Sequence, residues 1–414
     1  MTKPKLPSAS LILIISGCLL LLISFGLRSS FGLFVQPMGE VRGWGRDIIG
    51  FALAIQNLSW GIIAVLAGGL ADRFGNAKII VAGAVLYALG IFATASVTET
   101  WALHSTTGLL VGAGVAGTAF GIVLPAMAKV VAPEQRQLVL GIGTAAGSMG
   151  QFILVPGIQW FIGDIGWQAT LHIMAAIALM MAVLAMPFAT RKSANSAGSA
   201  FSTSSLSTEP DWVTTARLAR RHRPYWLLVM GFFVCGFHVA FITVHMPPFL
   251  ADQGFAPSIA AWSLGLIGLL NIVGSLGAGW ATSRMPMERF LIGLYGGRAI
   301  AIALFLWLPM SQLSVLLFSA VMGLLWLATV PPTSGLVAAM FGTRYMATLY
   351  GVVFLGHQLG SFIGVWLGGV AYELSGSYLP IWWGAVGLSV VAMLLHLPIS
   401  AKPALHSFQQ QRSS

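Results

Sequence analysis

Leu11 to Pro37 reads LILIISGCLLLLISFGLRSSFGLFVQP. At about 1.5 Å of rise per residue, such a helix outspans the roughly 30 Å of hydrocarbon in a bilayer. The run is too long for the apolar core of a signal peptide and lacks its small-residue cleavage site, so it reads as a first membrane span. Further runs follow at 48–70, 79–97, 102–127, 138–161 and 168–189, then at 225–249, 259–282, 288–309, 313–339, 346–371 and 378–399. With 57% hydrophobic and 8% charged residues in 414, the chain has more apolar surface than a soluble core hides, and its solvent must be largely lipid. The fold expected is all-α: twelve transmembrane helices in two six-helix bundles.

Between the sixth and seventh runs lies a Ser-rich tract, SANSAGSAFSTSSLSTEP (193–210), closed by the basic run RLARRHR (217–223). This composition predicts a disordered linker against an anionic leaflet, dividing the chain into an N-terminal bundle (1–190), a linker (191–223) and a C-terminal bundle (224–414). With a cytoplasmic N terminus, every basic residue except Arg28, Arg42, Arg46 and Arg298 falls on the linker's side, while Glu40, Asp47, Glu99, Asp164, Asp252 and Glu373 fall opposite. Both termini are therefore expected to be cytoplasmic and the protein to sit in an inner membrane. The net charge of +10 follows from this topology, since no basic stripe interleaves with stacking aromatics, and nucleic acid is not an expected partner.

A 210-residue offset brings the halves into register. It pairs Gly26, Phe31 and Pro37 with Gly236, Phe241 and Pro247; Gly141, Gly150, Phe152 and Ile153 with Gly351, Gly360, Phe362 and Ile363; and Gly166 with Gly376. Three separated segments agreeing on one offset argue for duplication, and parallel repeats about an axis along the membrane normal suit alternating access. The loop GGLADRFGNAK (68–78) resembles the G-x-x-x-D-R-x-G-x-x-K/R signature between the second and third helices of the major facilitator superfamily. That resemblance implies a conformational latch built from Gly68, Asp72, Arg73, Gly75 and Lys78, in which Asp72 meets a helix N-terminus across the bundle. The corresponding GAGWATSR (277–284) keeps Arg284 but has Ser283 in place of the acid. Stretches such as TVPPTSGLVAAMFG (329–342) and LYGVVFLGHQLGSFIGVWLGG (349–369) resemble the monocarboxylate-carrier and oxalate/formate-antiporter branch, which implies a small carboxylate as solute. That branch carries a cation in its eighth helix, where this chain has Asn271 and Ser275 instead.

A cation in hydrocarbon needs a wet cavity or a partner. Arg28, in a Gly/Ser-rich part of the first span, suits a forked donor to a solute carboxylate; a snorkelling arginine is the alternative. Arg298, in the ninth span, is expected to be structural. The offset places His238 opposite Arg28, and His357 in the eleventh span is a further candidate for solute or proton contact; His245 is a weaker one and His172 is expected to be structural. Asn57, Gln151 and Asn271, with Gln56 and Trp60, offer neutral contacts to solute or join helices to one another. Cys18 and Cys235 read as small buried hydrophobes. No acid occupies the middle of a span, so a proton, if it is the coupling ion, must ride on a histidine or on the solute. Neither a phosphate-binding loop nor metal-ligand spacing occurs, and no cofactor, metal or catalytic site is expected. The expected function is secondary transport of a small organic anion by rocker-switch alternation in a monomer surrounded by membrane lipids. Export of a neutral or amphipathic compound is the alternative.

Overall fold

The computed structural model describes residues 8–189, 212–342, 344–401 and 403–404. Twelve helices are long and apolar enough to span: α1 Ser8–Arg42, α2 Arg46–Phe74, α3 Asn76–Thr94, α4 Thr100–Ala128, α5 Gln135–Ile165, α6 Trp167–Phe188, α7 Arg223–Asp252, α8 Pro257–Thr282, α9 Met287–Trp307, α10 Gln312–Phe341, α11 Met346–Ser375 and α12 Leu379–His396. Each matches one expected apolar run to within a few residues at its ends. The breaks between them are made by turn chemistry: Gly75 (φ 90°, ψ 148°) joins α2 to α3, and Gly166 (φ 82°, ψ 164°) joins α5 to α6, both in backbone regions that a Cβ forbids.

The duplication is visible as packing. A Cβ at Gly150 would strike the backbone of Leu22, and one at Gly360 would strike that of Phe233, so α5 lies on α1 as α11 lies on α7. The fourth helix of each half is interrupted at equivalent places. In α4 the helix gives way at Ala119, and in α10 at Trp326–Thr329, so that Ala119 and Thr329 share the offset. Apolar sequence runs straight through both interruptions, which is why neither was expected.

The halves meet chiefly along α2 against α11 and α5 against α8. Among the described residues, the hydrogen bonds, ring contacts and ion pair that join them involve α2 from Arg46 to Trp60, α11 from Phe354 to Glu373, α5 from Ser148 onward and α8 as far as Asn271, with Asp252 at the end of α7 and Tyr378 before α12. Toward the linker end these partners part: Gly68 and Gly69 on α2, Gly141 on α5, Gly277 and Gly279 on α8, and Gly351 on α11 each have open space where a Cβ would stand. The molecule is a V, closed at the end of the α1–α2 and α7–α8 turns and open at the linker end.

The basic part of the expected linker is a helix, Trp212–Arg221, rather than irregular chain. Thr215, Leu218 and Ala219 recur at helical spacing and are buried, Arg217, Arg220 and Arg221 are exposed, and the Trp212 ring meets Tyr345 at 5.4 Å. The Ser-rich tract and Lys3, Lys5, Arg191, Lys192, Lys402 and Arg412 lie outside the described residues.

Candidate functional site

Arg28 lies where α1 passes α2 at the depth at which the halves begin to part. Its Nη2 donates to Asn57 Oδ1 at 2.6 Å, and its guanidinium carbon stands 4.8 Å from the centre of the Trp60 ring. Asn57 is held in turn by its own Nδ2, which donates to Leu53 O at 2.8 Å. The guanidinium is half-buried, and among the described residues the single ion pair belongs to Arg46 and Asp252. Arg28 therefore carries uncompensated positive charge at mid-chain depth, presented by an amide oxygen and an aromatic face rather than neutralised by an acid.

Across the interface, Gln358 Nε2 donates to the main-chain oxygen of Asn57 at 2.9 Å, and Gln358 Oε1 lies 3.0 Å from Nδ1 of His357. Arg28, Asn57, Gln358 and His357 thus form one chain of polar contacts from the first half into the second. Aromatic rings flank it. Phe25 stacks on Phe120 (4.1 Å between centroids) and meets Trp60 edge-on, Trp60 meets Phe354 at 5.4 Å, and Phe354 and Phe232 lie 5.9 and 4.8 Å from His357. Such a wall suits a solute with an apolar body and one anionic end.

The other expected site residues lie elsewhere. His238 is fully buried against α12, its Nε2 2.9 Å from Ala385 O, so it does not share a cavity face with Arg28. The 210-residue offset relates Cα positions, and a small difference in helix rotation turns the side chain to the bundle's outside layer. Gln151 donates to Leu264 O at 2.8 Å, and Asn271 donates to Ser148 Oγ at 2.9 Å while accepting from Leu327 N–H at 2.9 Å. Both stitch the α5–α8 seam rather than pointing at Arg28. Gln56 ties α2 to Thr107 O of α4 at 3.2 Å, and His245 spends both nitrogens on Tyr378 Oη (3.1 Å) and Val365 O (2.8 Å).

The latch residues are at the open end. Gly68, Asp72, Arg73, Gly75 and Lys78 are exposed or face open space, and Arg73 and Arg284 lie over their neighbouring rings, Phe74 and Trp280, at 5.2 and 4.2 Å. Asp72 is exposed and forms no ion pair among the described residues. At the closed end an unanticipated clasp appears: Arg46 makes two 2.6 Å bonds to the Asp252 carboxylate, donates its amide to Glu373 at 2.8 Å, and lies 3.7 Å over the Tyr372 ring. Its sequence signal was weak, since the residues come from the ends of three separate helices.

Twelve spanning helices in two related halves, meeting at one end and open at the other, define a multi-pass membrane transport protein. The chain belongs to the Major Facilitator Superfamily, whose family model matches residues 17–365. It is 25% identical over 397 residues to the MFS-type transporter YcxA of Bacillus subtilis, covering 91% of each chain, and 24% identical over 367 residues to monocarboxylate transporter 13 of Rattus norvegicus, covering 86% of this chain and 80% of that one. Its fold is similar to that of the nucleoside transporter NupG (TM-score 0.73, 15% identity, 94% of this chain and 99% of the other) and of a D-xylose-proton symporter (TM-score 0.67, 15% identity, 95% and 98%).

Proposed function

We propose that the protein is a secondary carrier of a small organic anion, with Arg28 as the ligand for a carboxylate. The observation that carries this reading is the half-buried guanidinium of Arg28, which no acid among the described residues neutralises, at the junction of the two halves. A fixed cation in a poorly screened site prefers an anion by Coulomb attraction, and the forked guanidinium matches a carboxylate. The aromatic wall receives the apolar remainder, and His357, through Gln358, joins the second half to the same site; the sequence similarity to a protein named as a monocarboxylate transporter supports the solute class. The bundles 1–190 and 224–414 are the moving units and 191–223 is their tether. The distribution of basic residues supports a cytoplasmic position for the termini and the open end in an inner membrane, and on that reading the open end makes this the inward-open state of a rocker switch.

The test is uptake of a panel of labelled carboxylates into proteoliposomes, with and without an imposed pH gradient. At least one carboxylate accumulates, Arg28→Ala abolishes its uptake at unchanged protein abundance, and Arg28→Lys recovers only part of it because the ammonium lacks the fork. Undiminished uptake by Arg28→Ala rejects the assignment. Transport restricted to neutral or amphipathic compounds favours the alternative of an exporter of such molecules.

A further inference from the structure

At the closed end, lined by the N-terminal half alone, lies a cavity of about 570 Å³. That volume suits an organic ligand rather than a bare ion. Arg42 at the end of α1, Ser96 just beyond α3, and Gln168 and His172 of α6 form its polar wall; Ile165 and Trp167 belong to its apolar one.

The polar wall is rich in donors and short of acceptors. Arg42 Nη2 and Gln168 Nε2 both donate to Ala95 O at 3.4 Å, the long end of the hydrogen-bonding range. Nε of Arg42 is buried with no partner, and the guanidinium carbon stands 5.6 Å from the centre of the Trp167 ring. No side chain caps α6, whose first bond runs from Thr170 N–H to Gly166 O. The N–H groups of Trp167, Gln168 and Ala169 therefore find no acceptor among the described residues, beside the positive end of the helix dipole. Glu40, Glu99 and Asp164 are the acids nearest along the chain, and none of them lines the cavity or pairs with Arg42. An arginine, an amide and three main-chain donors around one void select an anion with several oxygens.

The surroundings narrow the kind of anion. Helices α3 and α6 pack on each other, and Leu89 and Phe92 of α3 are exposed beside the exposed Leu179 and Val183 of α6. His172 lies on the same face of α6 as Leu179 and Val183, at i, i+7 and i+11, and its ring meets Phe92 at 5.0 Å. The cavity thus opens onto an apolar strip that, on spanning helices, faces acyl chains. A soluble anion would leave that strip unused.

We propose that this cavity binds the phosphate of a phospholipid from the leaflet at the closed end, with an acyl chain along the strip between α3 and α6. Arg42, Gln168 and the first-turn N–H groups of α6 hold the phosphate oxygens. The lipid ties the end of α1 to the start of α6, four residues before Arg46 of the clasp. The site is separate from the Arg28 assembly, and its test needs no transported solute.

The test is native mass spectrometry of the delipidated full-length protein in detergent, titrated with dioleoyl phosphatidylglycerol. The parent retains one tightly bound lipid, and Arg42→Gln weakens that binding about tenfold or more, the effect of losing a charge-assisted hydrogen bond. Gln168→Glu sets a carboxylate beside Arg42 and weakens binding as much, while its place in the first turn of α6 favours an acid, so it decides the matter even if Arg42→Gln fails to fold. Arg220→Gln, on the exposed basic helix at the open end, keeps the bound lipid. Binding unchanged in both Arg42→Gln and Gln168→Glu, or lost equally in Arg220→Gln, overturns the site. Equal retention of dioleoylglycerol, which has no phosphate, overturns phosphate recognition. Glycerol 3-phosphate or inorganic phosphate binding as tightly as the lipid, with the same loss in Arg42→Gln, overturns the lipid assignment in favour of a soluble anion.

Discussion

Arg28 and Arg298 bear the same charge inside spanning helices, and their surroundings separate them. Arg298 is held by carbonyls at the α10 break, whereas Arg28 rests on one amide oxygen and the Trp60 face. A desolvated cation–π contact contributes about 2 kcal/mol, and a carboxylate bound to Arg28 must coexist with it. Trp60→Leu should therefore raise the KM for the transported carboxylate by roughly tenfold, whereas Trp60→Phe, which keeps a π face, should raise it by only about two- to threefold. Equal KM values for both variants would remove Trp60 from the site. At this scale the sequence was partly legible. Arg28 was conspicuous because charge is rare in a span, and Asn57 and His357 stood out as polar for the same reason. Arg42 was not, since an arginine at the end of a span looks like any charge of the topology until the start of α6 is seen against it.

Among the helices, hydropathy alone located all twelve spans, because length and apolarity are what a bilayer selects. The interruptions at Ala119 and Trp326–Thr329 were hidden, since broken and continuous helices need the same apolar side chains; only Pro331 and Pro332 hinted at the second. Glycines divide into two sorts that sequence could not sort. Gly150 and Gly360 sit on the backbones of Leu22 and Phe233, whereas Gly277 faces open space. Gly150→Val and Gly360→Val should each destabilise their bundle by about 1–3 kcal/mol or more through overpacking, seen as a lowered Tm and lower yield of the purified protein. Gly277→Val should leave the Tm within error, and a loss there as large as at Gly150 would show that α8 packs more closely than the structure has it.

In the whole molecule, the clasp of Arg46 with Asp252 and Glu373 and the proposed latch at Asp72 sit at opposite ends, and the proposed alternation requires one to open as the other closes. Asp252→Asn removes a bidentate, partly exposed bond between the halves but leaves the Glu373 bond to the Arg46 amide, so the closed end should weaken without being abolished. A loss of about 1–2 kcal/mol shifts the ratio of the two states by roughly 5- to 30-fold. Spin labels at Val41 and Gln253, both exposed at the ends of α1 and α7, report that shift as growth of a longer-distance population in pulsed dipolar spectra of the Asp252→Asn protein. Asp72→Asn should act in the opposite sense: a carboxylate that engages only when the linker end closes favours the state not seen here, so its loss enriches the short-distance population. Distance distributions that respond to neither substitution would mean that the seams at α2–α11 and α5–α8, with their glycine contacts and amide hydrogen bonds, set the equilibrium without help from the charges at either end.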